Sequence, residues 1–332
     1  MPTQNTLLLT RNDVVHLLSL DACIEAVEGA FRMHGERTIP GPGILGMRAT
    51  DGGFHIKAGF FKGDRTYFAA KMNANFPSNK QRFGLPSIQG VLVLCDGENG
   101  SPLAIMDSLE ITVIRTGAAT AVAAKYLSRP QARVATICGC GSQGRIQLES
   151  LLQVRRLDHA FVYDVDARQG VAMAQDFAGR LTVEPIGKSD LATSVGKSDI
   201  CVTCTPSKQF YLRRDDVRPG TFIAAVGADS EEKQELDPAL FTGNVIVVDV
   251  LEQCATIGDL HHALDMGLIR KSDVHAELGE IVAGRKAGRT SNEETIIFDS
   301  TGMALQDAAA AALVYENALR SGTGQRISMA GM

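Results

Sequence analysis

The sequence predicts an α/β protein in which a Rossmann-type doubly wound parallel sheet is joined to a second, α+β domain. Three observations carry this. From Ala132 onward, near-continuous apolar runs alternate with amphipathic stretches, the pattern of parallel strands covered on both faces. The first of those runs, ARVATICG, passes straight into Gly139-Cys140-Gly141-Ser142-Gln143-Gly144 and then into SQGRIQLESLLQV, so a G-x-G-x-x-G stands between a buried strand and a helix. Between Arg48 and Asp107 the rhythm differs: short strand-like runs separated by turn residues, an antiparallel pattern.

In chain order, TLLLT reads as a short strand, and RNDVVHLLS and SLDACIEAVEGAFRMHGER as helices. In the second helix Ser19 is the N-cap, and Ile24, Val27 and Phe31 share one face. TIPGPGILG reads as a Gly/Pro-rich connection. The strand runs are FHIKAGFF, TYFAAKMNANF, IQGVLVLCD and PLAIMDS, with turns at GDR, GENG and NKQRFG. The small-residue helix TVIRTGAATAVAAKYLSR ends at Pro130. Beyond the glycine motif come the strand HAFVYDVD, the helix ARQGVAMAQDFAG and the buried strands DICVTCTPS, GTFIAAVGAD and NVIVVDV. TIIFDSTGMALQDAAAAALVYENALRSG closes the pattern with an Ala-rich helix long enough to return to the first domain, and SGTGQRISMAGM is expected to fray.

The 332 residues are 45% hydrophobic and 21% charged, which allows a sizeable core, and the net charge of -5 gives no general attraction to nucleic acid or an anionic membrane. No run of 18 apolar residues indicates a membrane span, and MPTQNTLLLTRND does not read as a signal peptide, so a cytoplasmic location is expected. Seven cysteines, an odd number in mostly apolar segments, point to reduced thiols. Cys201 and Cys204 form a C-x-x-C, but on a strand their Cα atoms stand roughly 10 Å apart with side chains on opposite faces, unsuited to a disulfide or a shared metal. His261, His262 and His275 show no metal-site spacing, and no metal is expected.

In the glycine motif, Gly139 makes the tight turn, Gly141 lets the backbone approach a pyrophosphate, and Gly144 lets helix and strand pack closely. The anion then rests on N–H groups at the helix start. Asp164 closes the next strand, where a carboxylate accepts from ribose hydroxyls and repels a 2′-phosphate. Val165 follows it where an arginine would argue for NADP; Arg168 lies four residues beyond Asp164 and could reach a phosphate. NAD is favoured over NADP.

KMNANFP with GLPSIQG, GSPLAIMDSLEITVIRTGAATAVAAKYL, GCGSQGRIQLE, VGADSEEKQELDP and IFDSTGMALQD, in this order between about Lys71 and Asp307, together resemble the ornithine cyclodeaminase/mu-crystallin family. The resemblance implies a discontinuous substrate and dimerisation domain, residues 1–117 and 304–332, around a Rossmann dinucleotide-binding domain, residues 118–303, and a homodimer formed through the first. It implies that Lys71 contacts the carboxylate of a small amino or imino acid, that Arg115 clamps that carboxylate, and that Asp229 stands beside the reacting centre. Ser87 falls with the substrate contacts. Ser142, Gln143, Asp164, Thr116, Thr205, Val226 and Ser300 fall where the family contacts the cofactor or lines its pocket.

The residue chemistry suits those roles: a guanidinium orients a carboxylate bidentately, and a lysine adds charge and can protonate an α-nitrogen. On residues alone, Lys71 could be a solvated strand residue, Arg115 a helix-surface charge and Asp229 a cap or turn residue. One segment departs from the family. Where cyclodeaminases carry an acidic residue and then Met-Pro, this chain has FHIKAGFF, with His55 and Lys57. A cation there repels a substrate's terminal ammonium and favours a neutral or acidic side chain; alternatively Lys57 points to solvent from an edge strand. Arg48 is the nearby counterpart of the arginine that cyclodeaminases place upstream. The expected activity is NAD(P)-dependent oxidoreduction of an α-amino or α-imino acid. The alternatives are a cyclodeaminase-type lyase that recycles NAD and releases ammonia, and a non-catalytic binding protein.

Overall fold

The structure, a computed structural model, describes residues 5–329. The chain forms two compact units, Met1–Arg115 with Met303–Met332, and Thr116–Gly302.

In the first unit a seven-stranded sheet runs in the order Gln325–Ile327, Thr6–Leu9, Pro102–Asp107, Ile88–Asp96, Thr66–Asn75, Gly52–Lys62, Gly43–Ala49. All neighbours are antiparallel except Thr6–Leu9 and Pro102–Asp107, which are parallel. The helix Ala304–Ser321 lies on the central strands and against the helix Leu20–Glu36. Its run of buried alanines, Ala308 to Ala312, leaves no bulk between helix and sheet. Gly59 completes the fit: a Cβ there would come within 3.1 Å of the Ala304 Cβ.

Four expectations are corrected. GILGMRA is not a connection but the outermost strand Gly43–Ala49, exposed along its length; Pro40, Gly41 and Pro42 just before it masked the strand signal. NKQRF is the short helix Asn79–Phe83, closed by Gly84 at φ 68°. Gln325–Ile327 does not fray: it pairs with Thr6–Leu8, because backbone pairing needs no hydrophobicity. The remainder of that tail, 330–332, lies outside the described residues. Finally, FHIKAGFF belongs to Gly52–Lys62, which is paired on both sides, so Lys57 is buried rather than solvated on an edge.

The second unit is an eight-stranded, wholly parallel sheet in the order Ala276–Glu277, Val245–Val248, Ile296–Asp299, Phe222–Ala225, Ile200–Thr203, Val134–Cys138, His159–Tyr163, Thr182–Ile186. The chain starts at Val134–Cys138, moves outward through two strands, then returns to Ile200–Thr203 on the other side. The order therefore reverses between Val134–Cys138 and Ile200–Thr203, and ligands of such sheets bind outside the C-terminal strand ends at that point. A two-stranded sheet, Lys208–Leu212 with Gln234–Leu236, sits apart. Among the described residues no helix is long and apolar enough to cross a membrane.

Candidate functional site

In the first unit, alternation along Thr66–Asn75 sends Tyr67, Ala69 and Lys71 to the buried face, and Lys57 stands directly opposite Lys71 in the ladder. The helix Ala304–Ser321 contributes Gln306 and Asp307, and the helix Leu109–Leu127 contributes Thr112 and Arg115. Lys71 is 3% exposed, and its Nζ donates to Asp307 Oδ1 at 2.8 Å and to Thr112 Oγ1 at 3.2 Å. Arg115 donates from its terminal nitrogen to Gln306 Oε1 at 2.9 Å. Its Nε lies 2.9 Å from Asp307 Oδ1, close enough for charge attraction without an aligned hydrogen bond. Asn73 and Ser108 brace the group: Ser108 Oγ donates to Asn73 Oδ1 at 2.6 Å, and Thr112 Oγ1 to Ser108 O at 2.7 Å. Asp307 Oδ2 and Gln306 Nε2 are buried with no hydrogen-bond partner among the described residues.

Three cations, Lys57, Lys71 and Arg115, thus gather around the single carboxylate of Asp307. Burial pushes the Lys71 ammonium down to about 7; Asp307 pulls the other way, and Arg115 and Lys57 push further down. Burial works against the Asp307 carboxylate too, but Lys71 and Arg115 outweigh it and hold its pKa below the ordinary value. The result is a charged Asp307 beside a lysine poised to exchange a proton near neutrality.

In the second unit the glycine turn follows Val134–Cys138. Gly139 takes φ 102°, a conformation that favours glycine, and a Cβ on Gly144 would collide with the Gly139 carbonyl oxygen. Gly141 is the N-cap of the helix Ser142–Val154 with no side-chain cap, and a Cβ there would enter open space. Uncapped N–H groups beside an open backbone suit a pyrophosphate. Asp164 Oδ2 accepts from the Cys140 N–H at 2.8 Å and its Oδ1 from the Asp166 N–H at 2.9 Å, which fixes the carboxylate past the end of His159–Tyr163. Each oxygen keeps a lone pair for a ribose hydroxyl. Arg168 reaches Asp166 through two bonds of 2.9 and 2.8 Å, so its fork is directed at Asp166. The residues present fit a dinucleotide with free ribose hydroxyls.

The remaining expected positions divide. Thr205 follows Ile200–Thr203 and packs on the turn: a Cβ on Gly139 would meet Thr205 Cγ2 at 3.1 Å. Val226 follows Phe222–Ala225, its N–H donating to Thr203 O at 2.9 Å. Ser300 donates its N–H to Ala225 O and its Oγ to buried Asp249. Ser142 and Gln143 occupy the first helical turn, and Thr116 is half-buried in Leu109–Leu127. Asp229 is exposed and accepts from Lys233 Nζ at 2.6 Å. Arg48 shares the Lys57 face of the sheet by register, but lies on the exposed outermost strand. Ser87, half-buried, has its Oγ 3.4 Å from Pro77 O.

Sequence reasoning missed Asp307, Gln306, Thr112 and Asn73. The signal was present: Asp307 adjoins the run of five alanines in that helix, and a carboxylate buried there is stable only beside a cation. All seven cysteines are free, and His261, His262 and His275 each have a ring nitrogen on a backbone carbonyl. Among the described residues no group of three His, Cys, Asp or Glu could hold a metal ion.

The model of the ornithine cyclodeaminase/mu-crystallin family matches residues 4–322. A protein of Archaeoglobus fulgidus named alanine dehydrogenase is 39% identical over 325 residues, 97% of this chain and 98% of that protein. A solved archaeal alanine dehydrogenase dimer with bound NAD superposes with a TM-score of 0.93 at 37% identity, covering 98% of this chain and 99% of that one. The Thermococcus litoralis Δ1-pyrroline-2-carboxylate reductase, solved with NADH and L-proline, gives 0.90 at 33% identity over 97% of this chain and all of that one. The iminosuccinate reductase of Paracoccus denitrificans with NAD+ gives 0.90 at 30%, over 98% and 100%. With the family pattern and these identities running along almost its whole length, the chain belongs to the ornithine cyclodeaminase/mu-crystallin family.

Proposed function

We propose that this protein is an NAD(H)-dependent oxidoreductase of a small α-imino or α-amino acid, reducing a C=N bond or running the reverse oxidation. The observation that carries the reading is the buried Lys71–Asp307–Arg115 cluster, with Gln306 Nε2 and Asp307 Oδ2 left for a ligand. Arg115 presents N–H groups to the substrate carboxylate. Lys71, with a pKa near 7, gives a proton to the α-nitrogen during reduction and takes one during oxidation. Asp307 holds both cations at fixed spacing and keeps Lys71 from losing its proton outright. Bound at the glycine turn, the dinucleotide supplies or accepts the hydride, which requires the α-carbon to meet the nicotinamide ring. Asp164 selects NAD through the ribose hydroxyls. Asp229 is exposed, with one oxygen 2.6 Å from Lys233 Nζ, and a carboxylate there suits taking a second proton or directing a water.

Lys57, buried opposite Lys71, disfavours a substrate with a terminal ammonium and favours a neutral or acidic side chain. That counts against cyclodeaminase chemistry on ornithine or lysine, the second reading. The retained lysine and arginine count against a purely binding role. A panel of α-keto acids with ammonia or amines, cyclic imines and free amino acids, followed at the NADH absorbance, decides among them. Net NADH oxidation with neutral or dicarboxylic imines is expected; ammonia release from ornithine with no net change in NADH would overturn the assignment.

The quaternary reading is a homodimer. Leu45, Met47, Phe54, Met72 and Val91 are exposed on one sheet face by register, an apolar surface of the kind that pairs with a second copy. The seven free cysteines agree with a reducing, cytoplasmic setting.

A further inference from the structure

Beside the glycine turn, linked to it through Thr205, lies a second buried carboxylate. Glu235 is fully buried. A single oxygen, Oε1, accepts three hydrogen bonds: from the Thr205 N–H at 2.7 Å, Thr205 Oγ1 at 2.6 Å and the Tyr211 hydroxyl at 2.7 Å. The other oxygen, Oε2, has no hydrogen-bond partner among the described residues and abuts Gly227, where a Cβ would overlap it. The Glu235 N–H is in turn held by Asp259 Oδ1 at 2.8 Å.

Two loops at the C-terminal ends of neighbouring strands, one of them at the point where the strand order reverses, therefore close on one side chain. Cys204 to Ser207 follows Ile200–Thr203, and Val226 to Asp229 follows Phe222–Ala225. Thr205 is the link to the turn, since its methyl and the Cys204 carbonyl oxygen are what a Cβ on Gly139 would meet, at 3.1 and 3.0 Å. A buried carboxyl costs stability unless its bonds are needed. Burial, and Asp259 close by, raise the Glu235 pKa to about 7, and in either protonation state Oε1 is the acceptor of all three bonds. An amide in its place keeps that acceptor.

We infer that Glu235 is a positioning residue of the dinucleotide site: by holding both the amide and the hydroxyl of Thr205, it fixes that residue against Gly139 and so sets the shape of the pyrophosphate turn. This rests on the reading of the glycine turn as the dinucleotide site.

The test is NADH affinity by fluorescence titration, with unfolding followed in parallel. Glu235→Ala is expected to weaken NADH binding roughly tenfold or more, by loss of two bonds to Thr205, and Glu235→Gln to restore it to within about threefold. Because Glu235 acts through Thr205, adding Thr205→Val to Glu235→Ala should weaken binding no further. Unchanged affinity in folded Glu235→Ala, failure of Gln to rescue, or additive effects would each overturn the inference. If Glu235→Ala does not fold, Thr205→Val and Thr205→Ser decide. Val keeps the methyl and loses the hydroxyl bond; Ser does the reverse. Weak binding in Val with Ser near the parent supports the role, and any other order overturns it. A parent protein that binds no NADH would sink the dinucleotide site itself, whereas tight parental binding with indifferent variants sinks only Glu235.

Discussion

In the first unit the proposed site is a set of charges gathered inside a core, whereas in the second it is backbone left bare. Lys71, Arg115 and Asp307 are side chains that the surrounding strands and helices bury and press together. Gly139, Gly141 and Gly144 act through what they lack, since a Cβ on the third would strike the carbonyl of the first. The two regions should therefore fail differently: one by removing a group, the other by adding one.

The largest effect is expected from Lys71→Ala. Loss of the proton-exchanging ammonium should lower kcat by about 10³-fold, within the usual range for a general acid–base group, while the NADH dissociation constant stays within about twofold. Equal damage to both would break the separation of the two regions. Gly144→Ala is the converse. The overlap with Gly139 should weaken NADH binding by roughly tenfold or more and lower Tm by several degrees, a typical overpacking penalty. An alanine there that binds NADH normally would show that the turn is not held by close packing.

The smallest effect is in pH. With Lys71 near 7 in the folded protein and 10.5 as its ordinary value, the unfolded chain binds more protons between those limits. Stability contributed by this site therefore rises with pH from about 7 toward 10.5, and its burial penalty is full below 7. Asp307 has the same sense in a separate, acidic window: its contribution is present above its ordinary value of 3.8 and is lost as pH falls through its depressed folded value. Tm measured from pH 6.5 to 9 should rise more steeply in the parent than in Lys71→Met. Parallel curves would mean that Lys71 is not the group titrating.

Legibility in the sequence followed the same division. The glycine motif, its strand and its helix are contiguous, and Asp164 lies one strand away, so local pattern was enough to read them. The antiparallel runs and the Ala-rich final helix were equally plain. What escaped needed distant partners. Asp307 meets Lys71 across 236 positions, and no local rhythm announces such a pair. Glu235 is buried by a small two-stranded sheet that propensity does not reveal. Gly43–Ala49 and Gln325–Ile327 are strands because a neighbouring edge accepts their backbone, not because their side chains demand it. Lys57 was ambiguous until its strand proved to be paired on both sides.

The interrupted first unit has a consequence for how the protein is made. On a ribosome the whole of Thr116–Gly302 is available before the helix Ala304–Ser321 emerges. Until then the sheet face carrying Tyr67, Ala69 and Lys71 lacks its cover, the kind of exposed surface that aggregates or recruits chaperones in a nascent chain. Asp307 arrives with that helix, so its ion pair with Lys71 is completed near the end of translation. A chain halted before Ala304 would carry the glycine turn but not the carboxylate that holds Lys71 and Arg115.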